Sequence, residues 1–385
     1  MKSKGSLLCV ALFLALSEAN AQSSVTMFGV LDEGINYTSN ALGHSTFQMH
    51  SGDAGATRWG LKGQEDLGGG YATIFTLENG FNINTGNFQG GEDGRIFGRQ
   101  SWVGLRSNDY GTLTLGRQLD PSIDLFSDTT GVGRFAGSVA SHPFDNDNTN
   151  WDFRVNNAVK YVSPTVRGFT VEGMYALSNT TIGQASNRLY SAGFDYLQQG
   201  LKIAVVYLKA NNQGSAAGAV TTDSVFAGES EQHIDAGVSY TFSRATVGFA
   251  YSRVNVYQPT YNAYFSSAGT QPPGGTWNSW KFDNFDVNAQ YTLGPDITLG
   301  ASYVFTNGHL AATNGEYSPK WHQVALMGSY SLSKSTAVYL QGAYQHVVSA
   351  HTGTDFDFAQ VAYAGAAMSS GENQAVVRLA LLHTF

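Results

Sequence analysis

The 385-residue chain has a single cysteine, Cys9, and it lies in the extreme N-terminal segment. The rest of the chain therefore has neither a disulfide framework nor a thiolate metal site. Charge is scarce as well: 13% of residues are Asp, Glu, Lys or Arg, against about 25% in typical soluble domains. Long apolar runs are missing too. Past the N-terminal segment none approaches the roughly 20 residues that a membrane-crossing helix needs, and no stretch after residue 22 sustains a helical periodicity. What the chain does have is glycine (45 residues) and ring residues (20 Tyr, 23 Phe). A membrane protein without apolar helices must close its strands into a barrel, because only then does every backbone group find a partner in lipid.

The N-terminus reads as an export signal. Lys2 and Lys4 form a basic start, Leu7 to Leu16 an apolar core, and Ala19-Asn20-Ala21 a small-residue cleavage site. Cys9 follows Leu8 and comes too early for a lipoprotein site. Residues 1–21 are therefore expected to be a cleaved signal peptide and residues 22–385 a single barrel domain. Without the signal the chain carries 19 basic and 28 acidic residues, a net charge of −9, which argues against nucleic acid as a partner.

Alternation of period two recurs along the mature chain. In 233–242, Ile234, Ala236, Val238, Tyr240 and Phe242 share one face, and His233, Asp235, Gly237, Ser239 and Thr241 the other. Residues 285–293 and 324–332 repeat the pattern. Apolar-out, polar-in alternation over about ten residues is the signature of a transmembrane strand. Connections alternate in length. Short ones fall at 65–70, 107–111, 163–168, 197–200, 242–244, 293–296 and 332–335. Long polar ones fall at about 38–55, 82–94, 119–153, 179–187, 211–230, 258–280, 308–317 and 349–371. Seven short and eight long connections make sixteen antiparallel strands with the last closing on the first. Tyr161, Tyr240, Phe242, Tyr291 and Tyr330 each precede a short turn and predict an aromatic girdle there. The last strand ends on Phe385, with Leu379, Leu381, His383 and Phe385 outward, and Arg378, Ala380, Leu382 and Thr384 inward. A soluble sandwich also alternates, but it does not account for the loop lengths together with the terminal ring.

Several stretches carry a family resemblance: SSVTMFGVLDEG (23–34), RWGLKGQEDLGGG (58–70), FTLENGFNINTG (75–86), IFGRQSWVGL (96–105), YGTLTLGRQ (110–118), HPFDNDNT (142–149), FRVNNAVKY (153–161) and the terminal HTF. In these the chain resembles the general-diffusion porins of Gram-negative outer membranes, beta-proteobacterial type. The resemblance implies an all-β fold, a 16-stranded transmembrane barrel whose third loop (119–153) folds inward as a constriction. It also implies a homotrimer seated in outer-membrane lipid and lipopolysaccharide, passing ions and small hydrophilic solutes without catalysis or cofactor, with Phe385 as the assembly signal.

Charges lining the narrowest zone set the selectivity of such a channel. Arg58 and Lys62 share a face opposite Trp59 and Leu61, so they are expected to point into the lumen. The same reasoning from Trp102 turns Arg99 inward with Ser101 and Val103. Placing Val155, Val159 and Tyr161 outward leaves Arg154 and Lys160 inside. By resemblance, Arg58, Arg99 and Arg154 match the family's basic wall cluster. Asp120, Asp124 and Asp128 in the third loop are candidates for the opposing acidic side; the alternative is that they are solvated turn residues. Arg117 shares a face with Leu113 and Leu115, where lipid exposure costs about 2–4 kcal/mol at the midplane. It is expected either to pack at a subunit interface, on an acid such as Glu92 or Asp93, or to snorkel. The basic wall predicts a weak anion preference. Asp145-Asn146-Asp147-Asn148 offers oxygen ligands suited to Ca²⁺, although such runs are commonly turns. The nine histidines show no metal spacing, and no nucleophile–base arrangement points to an enzyme; a barrel hydrolase needs one at its rim. A substrate-specific channel instead shows an aromatic or charged ladder.

Overall fold

A computed structural model describes residues 23–89, 94–181, 183, 186–213, 218–221, 223–266, 270–362, 365 and 367–385. The expected signal peptide lies outside them. Sixteen antiparallel strands form one closed sheet. They are β1 (Ser24–Ala41), β2 (His44–Ser51 continuing as Arg58–Gly68), β3 (Tyr71–Gly80), β4 (Gln100–Ser107), β5 (Gly111–Gln118), β6 (Val155–Val162), β7 (Phe169–Ala176) and β8 (Leu189–Gln198). The second half comprises β9 (Leu201–Asn211), β10 (Ser230–Phe242), β11 (Ala245–Tyr257), β12 (Trp277–Leu293), β13 (Ile297–Ala312), β14 (Gly315–Tyr317 continuing as Lys320–Ser331), β15 (Thr336–Val348) and β16 (Asn373–Thr384). Two strands are interrupted, so the ladder contains eighteen segments.

Closure is direct. Val30–Thr38 of β1 pairs with Val376–Thr384 of β16, and the backbone of Phe385 exchanges two hydrogen bonds with Gly29, at 2.9 and 3.1 Å. Leu379, Leu381 and Phe385 are exposed while Arg378 and Ala380 are buried, so the last strand faces as its alternation predicts. The five residues of the expected girdle are all exposed, between 42 and 50%.

Two connections expected to be loops are extended strand. Residues 38–51 of the first form a hairpin whose turn is only Leu42-Gly43, and 52–55 are a break in the strand. Both turn residues have positive φ (52° and 93°), the backbone that lets a two-residue turn match strand twist, and the Asn40 side chain accepts from the Gly43 N–H. Polar His44, Ser45, Thr46 and Gln48 hid a real alternation that turns Phe47 and Met49 outward. Residues 308–317 are likewise strand around a turn at 313–314.

Polarity inverts along the longer strands. In β12, Phe285 and Val287 face out and Asn284, Asp286 and Asn288 face in, as a barrel wall in lipid requires. Toward its outer end Trp280 and Phe282 face in, both at 0% exposure, while Lys281 and Asp283 take the outer side. Val254 and Val256 of β11, Leu310 of β13, Trp321 of β14 and Val347 of β15 join that inner apolar zone. These strands therefore run beyond the bilayer as a collar, apolar inside and polar outside like a soluble barrel. Phe144, Tyr264, Phe265 and Phe356 of the outer loops fill the collar, with Phe144 packed edge-on against Phe265, Trp321 and Phe356.

Candidate functional site

The third long connection, 119–154, is anchored along the inner wall rather than spread over the surface. Its first anchor is Asp120, fully buried, whose carboxylate accepts from the Ser122 N–H and from Asn148 Nδ2, both at 2.9 Å. Ser122 Oγ donates to Asp235 of β10 (2.8 Å). Asp124 pairs with Lys160 of β6, and Asp128 with Lys202 of β9 at 2.7 Å. Further on, the Gly131 N–H and Arg134 Nε donate to Asp286 and Asn288 of β12. Gln323 of β14 donates to the carbonyls of Val139 and Ser141. The N–H groups of Ser138 and Val139 reach Asp53, in the break of β2, at 3.2 Å. The wall leaves room for this: a Cβ on Gly237 would stand 2.0 Å from Thr129 Oγ1.

A buried acid–imidazole cluster fixes the second half of the loop. His142 Nδ1 lies 2.6 Å from Asp147 and its Nε2 3.5 Å from Asp286. Burial by itself would lower the His142 pKa, but the two carboxylates outweigh it and hold the imidazole at about 10. Asp147 is held at about 2 in spite of burial, chiefly by His142 and also by a hydrogen bond from Ser252. Neighbouring Asp145 and Asp152 go the other way: burial raises both, Asp152 to about 7.

The basic wall gathers around one carboxylate. Glu78 of β3 accepts from Arg99 Nε at 2.6 Å, has Arg58 Nε at 3.5 Å, and feels the charge of Arg154. Arg99 and Arg154 also line a cavity of about 550 Å³ bounded by the second, third, fifth and sixth long loops. Lys62 stands elsewhere, four residues nearer the short-turn end, over the ring of Phe28 (5.5 Å). Lys160 is drawn to Asp124, to Glu172 (3.3 Å) and to the Leu119 carbonyl, away from the arginines.

Several expectations need correction. Val103 and Leu105 are the outward, exposed residues of β4, so Trp102 faces the lumen and Ser101 the outside. Arg99 reaches Glu78 because it stands just before the strand begins, not because of the strand's alternation. Val155 is fully buried and inward, since Asn157 (φ 54°) and the bulge opposite it at Gly116 reset the parity of β6. Arg117 lies on the outer side, but its charge is met within the chain. It pairs with Asp223 of the fifth loop and donates to Asn156 Oδ1 and the Gly98 carbonyl, each at 2.5 Å. A subunit contact is therefore not needed to neutralise it; Glu92 and Asp93 lie outside the described residues. Asp120, Asp124 and Asp128 do not form an open acidic row either, the first being a loop anchor and the others paired with lysines. The Asp145–Asn148 run spends its side chains on Asn150, Asn284, His142 and Asp120, and among the described residues no group of three His, Cys, Asp or Glu suits a metal. Sequence reasoning passed over Glu78, Lys202 and Asp223, and placed Asp286 on the inward face of 285–293 without giving it a role. Their strand parity was available for all but Asp223, which lies in a loop and carried no signal.

A closed barrel with a loop bound across its lumen and a charged wall beside it defines an outer-membrane channel. The chain belongs to the Gram-negative porin family, whose model matches residues 7–349. It is 31% identical to outer membrane porin protein 32 of Delftia acidovorans, over 99% of this chain and all of that one. Its fold matches an anion-selective porin from Comamonas acidovorans (TM-score 0.71, 22% identity, 94% of this chain and 100% of that one). It also matches the in-vitro folded trimer form of a Vibrio cholerae outer membrane protein (TM-score 0.63, 15% identity, 94% and 99%). The protein is thus a multi-pass outer-membrane porin, a channel for passive diffusion and not an enzyme.

Proposed function

We propose that the channel favours anions and that its preference is set by Arg58, Arg99 and Arg154. The observation that carries this is their convergence on one stretch of the lumen wall around Glu78, which sets three guanidinium groups together where the third loop narrows the lumen. Charge rings of one sign select ions of the other. Two other wall cations are matched by acids: Lys160 by Asp124 and Glu172, and Lys202 by Asp128 and Asp195. The relative described as an anion-selective porin accords with this reading. Solutes are small and hydrophilic, since the third loop is bound to wall strands on several sides of the lumen and narrows it. Swelling of proteoliposomes in neutral sugars of increasing size tests that limit: small sugars are expected to enter and oligosaccharides to be excluded, and equal swelling for all would contradict it.

The same reading makes the protein a homotrimer surrounded by lipid and lipopolysaccharide. Glu33 supports it: it faces outward from β1 between exposed Ile35 and half-buried Leu31, directly opposite exposed Leu381. A carboxylate on that face is costly against lipid and is relieved if another subunit covers it. Cross-linking in mild detergent is expected to give a three-copy species; a monomer alone would contradict the assembly.

A further inference from the structure

The cavity beside the arginines differs from the collar in its rings. In the collar the inner aromatic side chains are withdrawn from water: Trp277, Trp280, Phe282, Trp321 and Phe356 are all at 2% exposure or less. Four rings on the cavity wall are not. Phe88 and Tyr261 are 45 and 49% exposed, and Trp151 and Tyr264 are only partly covered. Trp151 also holds a positive φ (65°), and strained backbone is a cost that folds sustain at functional sites.

We propose that this cavity is a transit subsite for small aromatic carboxylates, the carboxylate drawn to Arg99 and Arg154 and the ring stacked among Trp151, Tyr261, Phe88 and Tyr264. The proposal rests on the anion reading above and adds the class of organic anion. About 550 Å³ lies within the range of small-molecule sites and takes a benzoate-sized solute with water to spare. The acids on the same wall do not repel it strongly. Asp223 is spent on Arg117, Asp53 accepts the Val139 N–H, and Asp152 is pushed toward neutrality by burial. Stacking is weak enough for release, as conduction requires. Its effect is to raise the local concentration of flat anions over that of compact ones.

The test is bi-ionic reversal potentials of the full protein in planar bilayers, comparing potassium benzoate with potassium acetate. A water-filled pore that only sieves passes acetate faster. The expected benzoate-to-acetate permeability ratio exceeds one, and Trp151→Ala and Tyr261→Ala each lower it, by about threefold for loss of one ring partner. Tyr261 is exposed, so its replacement leaves the fold intact if Trp151→Ala does not. A wild-type ratio below one, or a ratio that neither substitution changes, overturns the subsite. KCl conductance and the chloride-to-potassium ratio, read in the same membranes, keep its failure apart from failure of the anion reading. A channel preferring potassium removes the basis of both.

Discussion

Arg378 of the last strand donates to the carboxylate of Asp32 of the first at 2.9 Å, with neither side chain exposed to water. Asp32 also accepts from the Tyr339 hydroxyl and from the N–H groups of Asp53 and Gly55, and Arg378 donates to Asn36 and the His50 carbonyl. One buried pair thus ties the barrel seam to the break in β2 on which the third loop docks.

Removing one partner of such a pair strands a buried charge, at a cost of about 3–5 kcal/mol. Asp32→Ala and Arg378→Leu are each expected to lower the temperature at which the folded band on unboiled gels converts to the unfolded one. Unchanged conversion in both would show that the seam does not depend on the pair.

The pair of Arg117 with Asp223 makes a different demand. Asp223→Asn leaves the guanidinium without its carboxylate and removes the ion pair that ties the fifth loop to β5. Limited proteolysis is expected to cut faster between residues 212 and 229 while the barrel stays intact. An unaltered cleavage rate would mean that the loop is held by other contacts.

The His142 cluster carries a pH signature with a definite sign. A histidine held at about 10 stabilises the anchored loop fully below its ordinary value near 6.5, and that contribution drains away as pH rises toward 10. Asp147, held at about 2, contributes fully above about 4 and loses its contribution only as pH falls through 2. Hydrogen exchange across 137–150, corrected for intrinsic rates, is expected to show protection falling from pH 6.5 to 10, and His142→Gln to flatten the slope. Constant protection over that range would contradict the assignment.

The loop acids act by cancelling lysines. Asp124→Asn with Asp128→Asn is expected to release Lys160 and Lys202 and to shift the zero-current potential further toward anions. A shift toward cations would mean that other carboxylates govern the lumen.

The barrel was legible in the sequence because lipid imposes period two on every membrane-level strand, and 285–293 and 324–332 display it plainly. The hairpin around Leu42-Gly43 was not, since beyond the bilayer nothing forces residues 44–48 to alternate in polarity. The same loss of constraint hid the collar: Trp277, Trp280 and Trp321 face inward, where the lipid rule expects polar groups. At the site, Arg58 was readable from its strand, whereas the positions of Arg99 and Val155 turn on a strand start and a bulge that alternation does not encode. The partners of Arg117, Lys160 and Asp128 come from segments far apart in the chain, which local pattern cannot bring together.

The most direct measurement is the zero-current potential across a KCl gradient for the wild type and for Arg58→Gln/Arg99→Gln/Arg154→Gln. The expected result is a conducting channel that prefers chloride, with the preference lost in the triple variant while conduction persists. A wild type that prefers potassium, or a chloride preference that survives removal of all three arginines, would contradict the account.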